Sequence, residues 1–249
     1  MIVQKSDKEL ALMREAGKIS GEALKLAGSL VAPGVSTKEI DDAVYKFITS
    51  KGATPSFLGY SGFPASCCIS INDEVIHGIP SKNTIIKEGD IVSVDLGAYY
   101  KGFHSDTAAT FAAGNVSAEA QKLLDITKEC LMKAIKEAVI GNRLGDIGYA
   151  VASHAEKNGF AVVTDYVGHG IGTHLHESPD VPNYGSPQRG LRLLEGMTIA
   201  IEPMINEKGA QVKTLKDGWT VVTKSGSNSA HFEHTVAITK DGPIILTEA

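Results

Sequence analysis

Two periods of apolar residues divide this chain. After Ser6-Asp7-Lys8-Glu9, a capping box, Leu10, Met13, Ala16, Ala23, Leu24 and Ala27 recur at helical spacing until Pro33-Gly34 breaks the run. Ser36 and Glu39 form a second capping box, and Ile40, Val44, Phe47 and Ile48 line a second helix that stops at Gly52. Residues 53–83 are rich in Gly, Pro, Ser and Asn, which predicts loop around a short strand from Ser66 to Ile71. Alternation then takes over, predicting strands from Asp90 to Ala98 and from Phe103 to Ala112. The helical period returns over 117–140 and 143–158, and beyond 160 the chain reads as strand and loop.

The pattern repeats with an offset of 107 residues: Leu24 falls on Leu131, Gly34 on Gly141, Ile40 on Ile147, Val44 on Val151 and Gly52 on Gly159. The same offset carries Glu88-Gly89 onto Glu195-Gly196 and Asp95 onto Glu202. An offset that holds across a long gap and equates two carboxylates predicts two like halves, each offering an acid to a shared centre. Helical and strand-like segments together fill the chain. No linker or low-complexity segment interrupts it, so one domain over 1–249 is expected.

Asp95 and Asp106 lie on the two strands of one predicted hairpin. Centring its turn between Tyr100 and Lys101 makes them direct cross-strand neighbours. Like charges so placed destabilise a hairpin unless a cation neutralises them. Asp95 follows the apolar run Ile91-Val92-Ser93-Val94, which carries it into a buried region, where an unpartnered carboxylate is costly. Glu202 closes Thr198-Ile199-Ala200-Ile201, and Glu233 sits in a strand returning after an insertion around Trp219. The stretch Gly168-His169-Gly170-Ile171-Gly172-Thr173-His174-Leu175-His176-Glu177 adds three of the eight histidines. Carboxylates with one or two imidazoles suit two hard or borderline divalent ions better than a structural zinc. Such ions can share bridging carboxylates and activate water against a carbonyl. No Lys-Ser/Thr follows the glycines of this stretch, so they read as places of close backbone approach rather than a phosphate cradle.

Composition narrows the partners. A net charge of -5 supplies no general basic face for nucleic acid. Cys67, Cys68 and Cys130 give no disulfide framework, and neither a signal peptide nor an apolar run long enough for a membrane is present, so a cytoplasmic protein is expected.

At this point the chain resembles the type I methionine aminopeptidases, bacterial enzymes of the pita-bread fold, essentially end to end. The resemblance is carried by GYSGFPASCCISINDEVIHGIP, VDLGAYYKGFHSDTAATF, GHGIGTHLHESPDVP, IAIEPM, SAHFEHTV and DGWTVVTK. It implies an α/β (α+β) fold class, antiparallel sheets covered by helices with a pseudo-twofold that is consistent with the repeat, and removal of N-terminal methionine, preferably before a small second residue. It implies a dinuclear centre of two divalent ions (Co, Mn, Fe or Zn): Asp95 on one, His169 and Glu202 on the other, Asp106 and Glu233 bridging, with Glu202 also carrying the proton. His77 and His176 match the family's substrate-contacting histidines, and Tyr60, Phe63, Cys68, Leu175 and Trp219 its methionine pocket. Family members commonly carry Phe at Leu175 and often Gln at His231, which here places an imidazole beside Glu233. By this likeness the partners are nascent-chain N-termini, at the ribosome, and the enzyme is a monomer with no membrane contact. The type I assignment rests on the absence of a long helical insertion between His176 and Glu202 and of an N-terminal extension. His174 is read as a surface or structural histidine, and His104, His154 and His234 as structural. Two other readings share the fold: a proline-type peptidase, which usually carries a further N-terminal domain, and a silent binding module, which would lack metal ligands.

Overall fold

The computed structural model describes residues 2–248. Four α-helices among them follow the helical period: α1 (Asp7–Leu30), α2 (Thr37–Ser50), α3 (Ala118–Glu137) and α4 (Leu144–Lys157). Both capping boxes form, with Glu9 accepting from Ser6 N at 2.7 Å and Glu39 from Ser36 N at 2.8 Å. The first strands are β1 (Thr54–Pro55), β2 (Cys67–Ile71), β3 (Glu74–Ile76), β4 (Ile91–Tyr100) and β5 (Phe103–Ala112). After α4 come β6 (Ala161–Val162), β7 (Gly168–Gly170), β8 (Glu177–Val181), β9 (Thr198–Ile201) and β10 (Met204–Asn206). The chain ends with β11 (Val212–Thr214), β12 (Val221–Thr223), β13 (Ser229–His231), β14 (Glu233–Thr239) and β15 (Gly242–Ile245).

Nine strands form one antiparallel sheet in the order β1-β4-β5-β14-β9-β7-β8, with β2 also on β4 and β15 also on β14. Strands from both halves thus share one sheet, with β5 against β14 at its middle. Two three-stranded sheets, β13-β10-β6 and β11-β12-β3, flank it. No helix among the described residues is long and apolar enough to cross a membrane.

The 107-residue offset holds to the residue. α2 and α4 coincide under it (Thr37–Ser50, Leu144–Lys157), and α1 and α3 end at equivalent places, Leu30 and Glu137. The isolated bridges Ser36↔Ile85 and Arg143↔Arg192 are equivalent, as are the bonds Thr37 N to Thr84 O and Leu144 N to Leu191 O.

Alternation decides what each strand shows to each side. In β4, Val92, Val94 and Leu96 pack with Ile40, Val44 and Ile48 of α2. In β9, the equivalent Ile199 and Ile201 pack with Leu131 of α3 and Ile147 and Val151 of α4. Each such residue, fully buried, contributes roughly 1.5–3 kcal/mol. The intervening positions, including Asp95 and Glu202, therefore face away from the helices.

One register differs from expectation. Tyr100 pairs with Phe103, so Asp95 stands opposite Ala108 and Asp106 opposite Gly97; the two aspartates are diagonal neighbours, not direct ones. The turn is Lys101-Gly102, with φ of 49° and 93°, the two-residue turn whose twist suits a hairpin. Its centre lies one residue later, which slides the register by two. A two-residue slide keeps every side chain on its face, so the aspartates still converge, across small Ala108 and Gly97. β2 begins at Cys67 and α3 stops at Glu137, each within a few residues of expectation.

Candidate metal centre

The face turned from the helices carries the acids. Ala108 is paired with Asp95 on one side and Glu233 on the other, so these three sit in one row across β4, β5 and β14, with Asp106 two residues along. On the far side of β14, His234 pairs with Ile201, which brings Glu202 beside Glu233. His169 enters from β7, whose Gly170 pairs with Ile199. Its flanking glycines are sterically required: a Cβ on Gly168 would lie 2.3 Å from Ala200 O, and one on Gly170 2.4 Å from Ser178 O. Close backbone approach is thus the role of the glycines in this stretch.

Asp106, His169 and Glu233, all buried, bring one ligand atom each within 4.8 Å of one another. His169 Nε2 lies 3.7 Å from Asp106 Oδ2 and 3.6 Å from Glu202 Oε1. His169 Nδ1–H donates to Gly170 O at 2.8 Å. That bond leaves the lone pair on Nε2, the atom aimed at the acids, as in a metal-binding imidazole.

Burial drives Asp95 up to about 7. It raises Asp106, Glu202 and Glu233 well above the ordinary carboxylate range, and neighbouring acids push further the same way. Burial also holds the imidazoles neutral, with His169 and His231 pushed down to about 3 and His77 to about 4. The histidines therefore cannot balance the acids. Asp95 Oδ1, Asp106 Oδ1 and Glu233 Oε1 are buried without a hydrogen-bond partner. Orphaned oxygens of that kind, beside a lone pair on nitrogen, fit a divalent cation of hard or borderline character.

A cavity of about 210 Å³ opens onto this cluster. It is lined by all five expected ligands, by His77 and His176, and by Tyr60, Phe63, Cys68, Leu175 and Trp219. Phe63 and Trp219 meet edge to face at 5.1 Å between centroids, and Leu175 and Cys68 are buried. His176 Nδ1 is 2.8 Å from the Tyr60 hydroxyl, and its ring lies 4.0 Å from that of His169. His77 is held in the left-handed region at φ 61°, between Tyr166 and Trp219. Phe57 and Ser61 also line the cavity; they lie in the irregular 53–66 segment, where no periodicity marks them.

Other histidines sit apart. His174 is exposed; His104, His154 and His234 bond Ser56, Glu129 and Thr247 at 2.9, 2.7 and 2.8 Å. His231 faces a second acid that the sequence did not indicate: its Nε2 lies 3.7 Å from Glu202 Oε2, the chain passing from β13 in one sheet to β14 in another at Phe232.

Comparison with known proteins agrees with this geometry. The model of metallopeptidase family M24 matches residues 11–240. A Clostridium perfringens methionine aminopeptidase is 55% identical over 99% of both chains. The crystal structure of a Thermotoga maritima methionine aminopeptidase superposes with a TM-score of 0.99 at 44% identity over 100% of both. A Pyrococcus furiosus prolidase shares the fold at a TM-score of 0.80 and 24% identity, over 99% of this chain but 66% of its own.

Proposed function

The chain belongs to metallopeptidase family M24, and from that premise we propose that it removes the N-terminal methionine of peptides and nascent proteins, preferably before a small residue. One observation carries the reading: a carboxylate-rich cluster with a single aimed imidazole lies at the end of an aromatic-lined cavity sized for one side chain.

Asp95, Asp106, His169, Glu202 and Glu233 would hold two divalent ions; Co, Mn, Fe or Zn all suit this donor set. When bound, such ions supply Lewis acidity that lowers the pKa of water and polarises a carbonyl. The remaining work falls to the chain. Tyr60, Phe63, Cys68, Leu175 and Trp219 take the methionine side chain, its thioether against aromatic rings. Glu202 carries the proton from the attacking water to the leaving amine. With the Tyr60 hydroxyl donating to Nδ1, His176 presents Nε2–H to the oxygen that becomes anionic. His77 lines the leaving side of the peptide bond. The whole chain, 1–249, acts as one catalytic unit, a cytoplasmic monomer working on nascent chains at the ribosome.

The test strips the protein with chelator and follows Met-Gly-Met and X-Pro peptides as Mn, Fe, Co or Zn is restored. Methionine release with at least one metal is expected. No release with any metal overturns the proposal, and preference for X-Pro peptides would turn it toward a proline peptidase.

A further inference from the structure

Behind Glu202 lies a buried imidazole without a partner. His231 ends β13 and is 1% exposed, and neither of its ring nitrogens has a hydrogen-bond partner. Its backbone is fixed on both sides by one hydroxyl: His231 N donates to Thr110 Oγ1 at 2.8 Å, and Thr110 Oγ1 donates to His231 O at 3.0 Å. The ring is therefore aimed by the sheet. It is aimed at Glu202: Nε2 lies 3.7 Å from Oε2, while Oε1 of the same carboxylate lies 3.6 Å from His169 Nε2. Glu202 stands between two imidazoles, one facing each oxygen.

A buried polar group left unsatisfied costs about 1–3 kcal/mol, and native proteins seldom keep one without a use. His231 does not belong to the compact cluster of Asp106, His169 and Glu233, nor does it line the cavity. It addresses the carboxylate from outside the set of side chains that line the cavity. Nothing in the ligand set or the methionine pocket assigns it a task.

We propose that His231 is the positioning residue of Glu202, its Nε2–H directed as donor at Oε2 across 3.7 Å, so that Oε1 stays directed toward His169 and the cavity. This rests on the reading of Glu202 as ligand and proton carrier. A free carboxylate in this space has two competing orientations, toward the cavity or back toward β13, and the imidazole removes the second. Proton transfer by Glu202 then starts from one geometry.

Cobalt titration of the chelator-stripped protein, read by the visible absorption of bound Co²⁺, tests this without relying on methionine release. Leucine at the position, H231L, is expected to weaken cobalt binding about 10- to 100-fold, the usual effect of removing a group that orients a ligand, and to alter the absorption envelope. The H231Q variant, which keeps a side-chain N–H donor, is expected to restore affinity to within a few-fold. In Met-Gly-Met hydrolysis H231L should lower kcat with KM nearly unchanged. The double variant E202Q/H231L should bind cobalt no more weakly than E202Q alone. Wild-type cobalt affinity and spectrum in H231L, or additive losses in the double variant, would overturn the proposal. Should H231L not fold, nitrogen-15 NMR of the wild type decides: the hydrogen is expected on Nε2, and finding it on Nδ1 refutes the donor role. If no metal supports methionine release, the cobalt and NMR results still stand or fall by themselves.

Discussion

The two halves of this molecule share a scaffold and differ in how they close it. The same helix pair covers each half, with α2 and α4 in register under a shift of 107 and the same backbone bonds tying their starts. In the first half the acid-bearing strands β4 and β5 are joined by the two-residue turn Lys101-Gly102. In the second, β9 and β14 are joined by an excursion from 202 to 232, which builds β10 to β13 and carries Trp219 and His231. The strand packed beside β4 presents Cys68, while the strand beside β9 presents His169. The symmetric part brings carboxylates together, since the equivalent positions Asp95 in β4 and Glu202 after β9 each deliver an acid to the shared centre. The asymmetric part adds what has no counterpart in the other half: His169 beside β9 and Trp219 on the excursion, the latter facing Phe63 of the first half across the cavity.

The largest effect should come from breaking the symmetric part. Asp106 and Glu233 come from the two halves and sit together in the compact cluster. D106N and E233Q should each cut methionine release by more than 100-fold, beyond what loss of an outer partner does. Neither should lower the melting temperature of the metal-free protein, because each removes a charge from a buried crowd of acids. A gap of tenfold or more between their activities would show that the halves do not contribute equally.

A second break falls on a contact that joins the N-terminal segment to the second half. Lys5, before α1, reaches across to the second half: its backbone N–H donates to Gly196 O at 2.7 Å, and its ammonium pairs with Glu177, both side chains under a tenth exposed. Glu177 in turn accepts from His174 N at 3.2 Å, fixing the loop next to His176. K5M strands a buried carboxylate and should cost about 3 kcal/mol in denaturant unfolding. K5M/E177Q should recover part of that loss. Equal losses in the single and double variants would count against the pair as the cause.

Next in size is the response to metal and pH. The four acids have folded-state pKa values raised above their ordinary ones, Asp95 to about 7. The metal-free fold therefore takes up protons there that a cation must displace. Stabilisation by metal should be present above about pH 7 and fade as pH falls through that value. His169, held neutral by burial down to about 3, does not compete in this range. At Mn²⁺ 100-fold above its dissociation constant at pH 8, the melting temperature should rise by roughly 5–10 °C. At pH 6 most of that increment should be gone; an increment independent of pH would speak against protonated acids in the metal-free site.

What could be read from the sequence follows the range of the forces involved. Helices, strands and the direction of Asp95 were legible because alternation and capping act within a few residues. The twelve residues assigned to the centre and its pocket line one cavity, because family motifs preserve what spacing alone leaves open. The hairpin register was not legible: Tyr99-Tyr100-Lys101-Gly102 admits two centres, and only the positive φ at both Lys101 and Gly102 selects one. The error left the site intact because it was even. The Lys5–Glu177 pair had no local signal, its partners being 172 residues apart. The aim of His231 was hidden because neighbours in sequence, His231 and Glu233, belong to different sheets.

The smallest expected effect sharpens the comparison most. If the first half closes its strands with a turn that serves only the fold, damage there should spare the chemistry. Gly102 has φ of 93° and nothing within 4 Å of a Cβ built on it. An alanine meets no neighbour, so its whole penalty is backbone conformation, about 1 kcal/mol. G102A should lower unfolding free energy by that amount and leave kcat/KM for Met-Gly-Met and cobalt affinity within twofold of wild type. The hairpin has ten paired positions from Ile91↔Ala112 to Tyr100↔Phe103, and Asp95 and Asp106 lie well down the ladder, so strain at the turn should be absorbed before it reaches them. A loss of activity larger than the loss of stability would mean that the turn, not the ladder, sets where Asp95 and Asp106 stand, and the division between a structural first closure and a functional second one would fail.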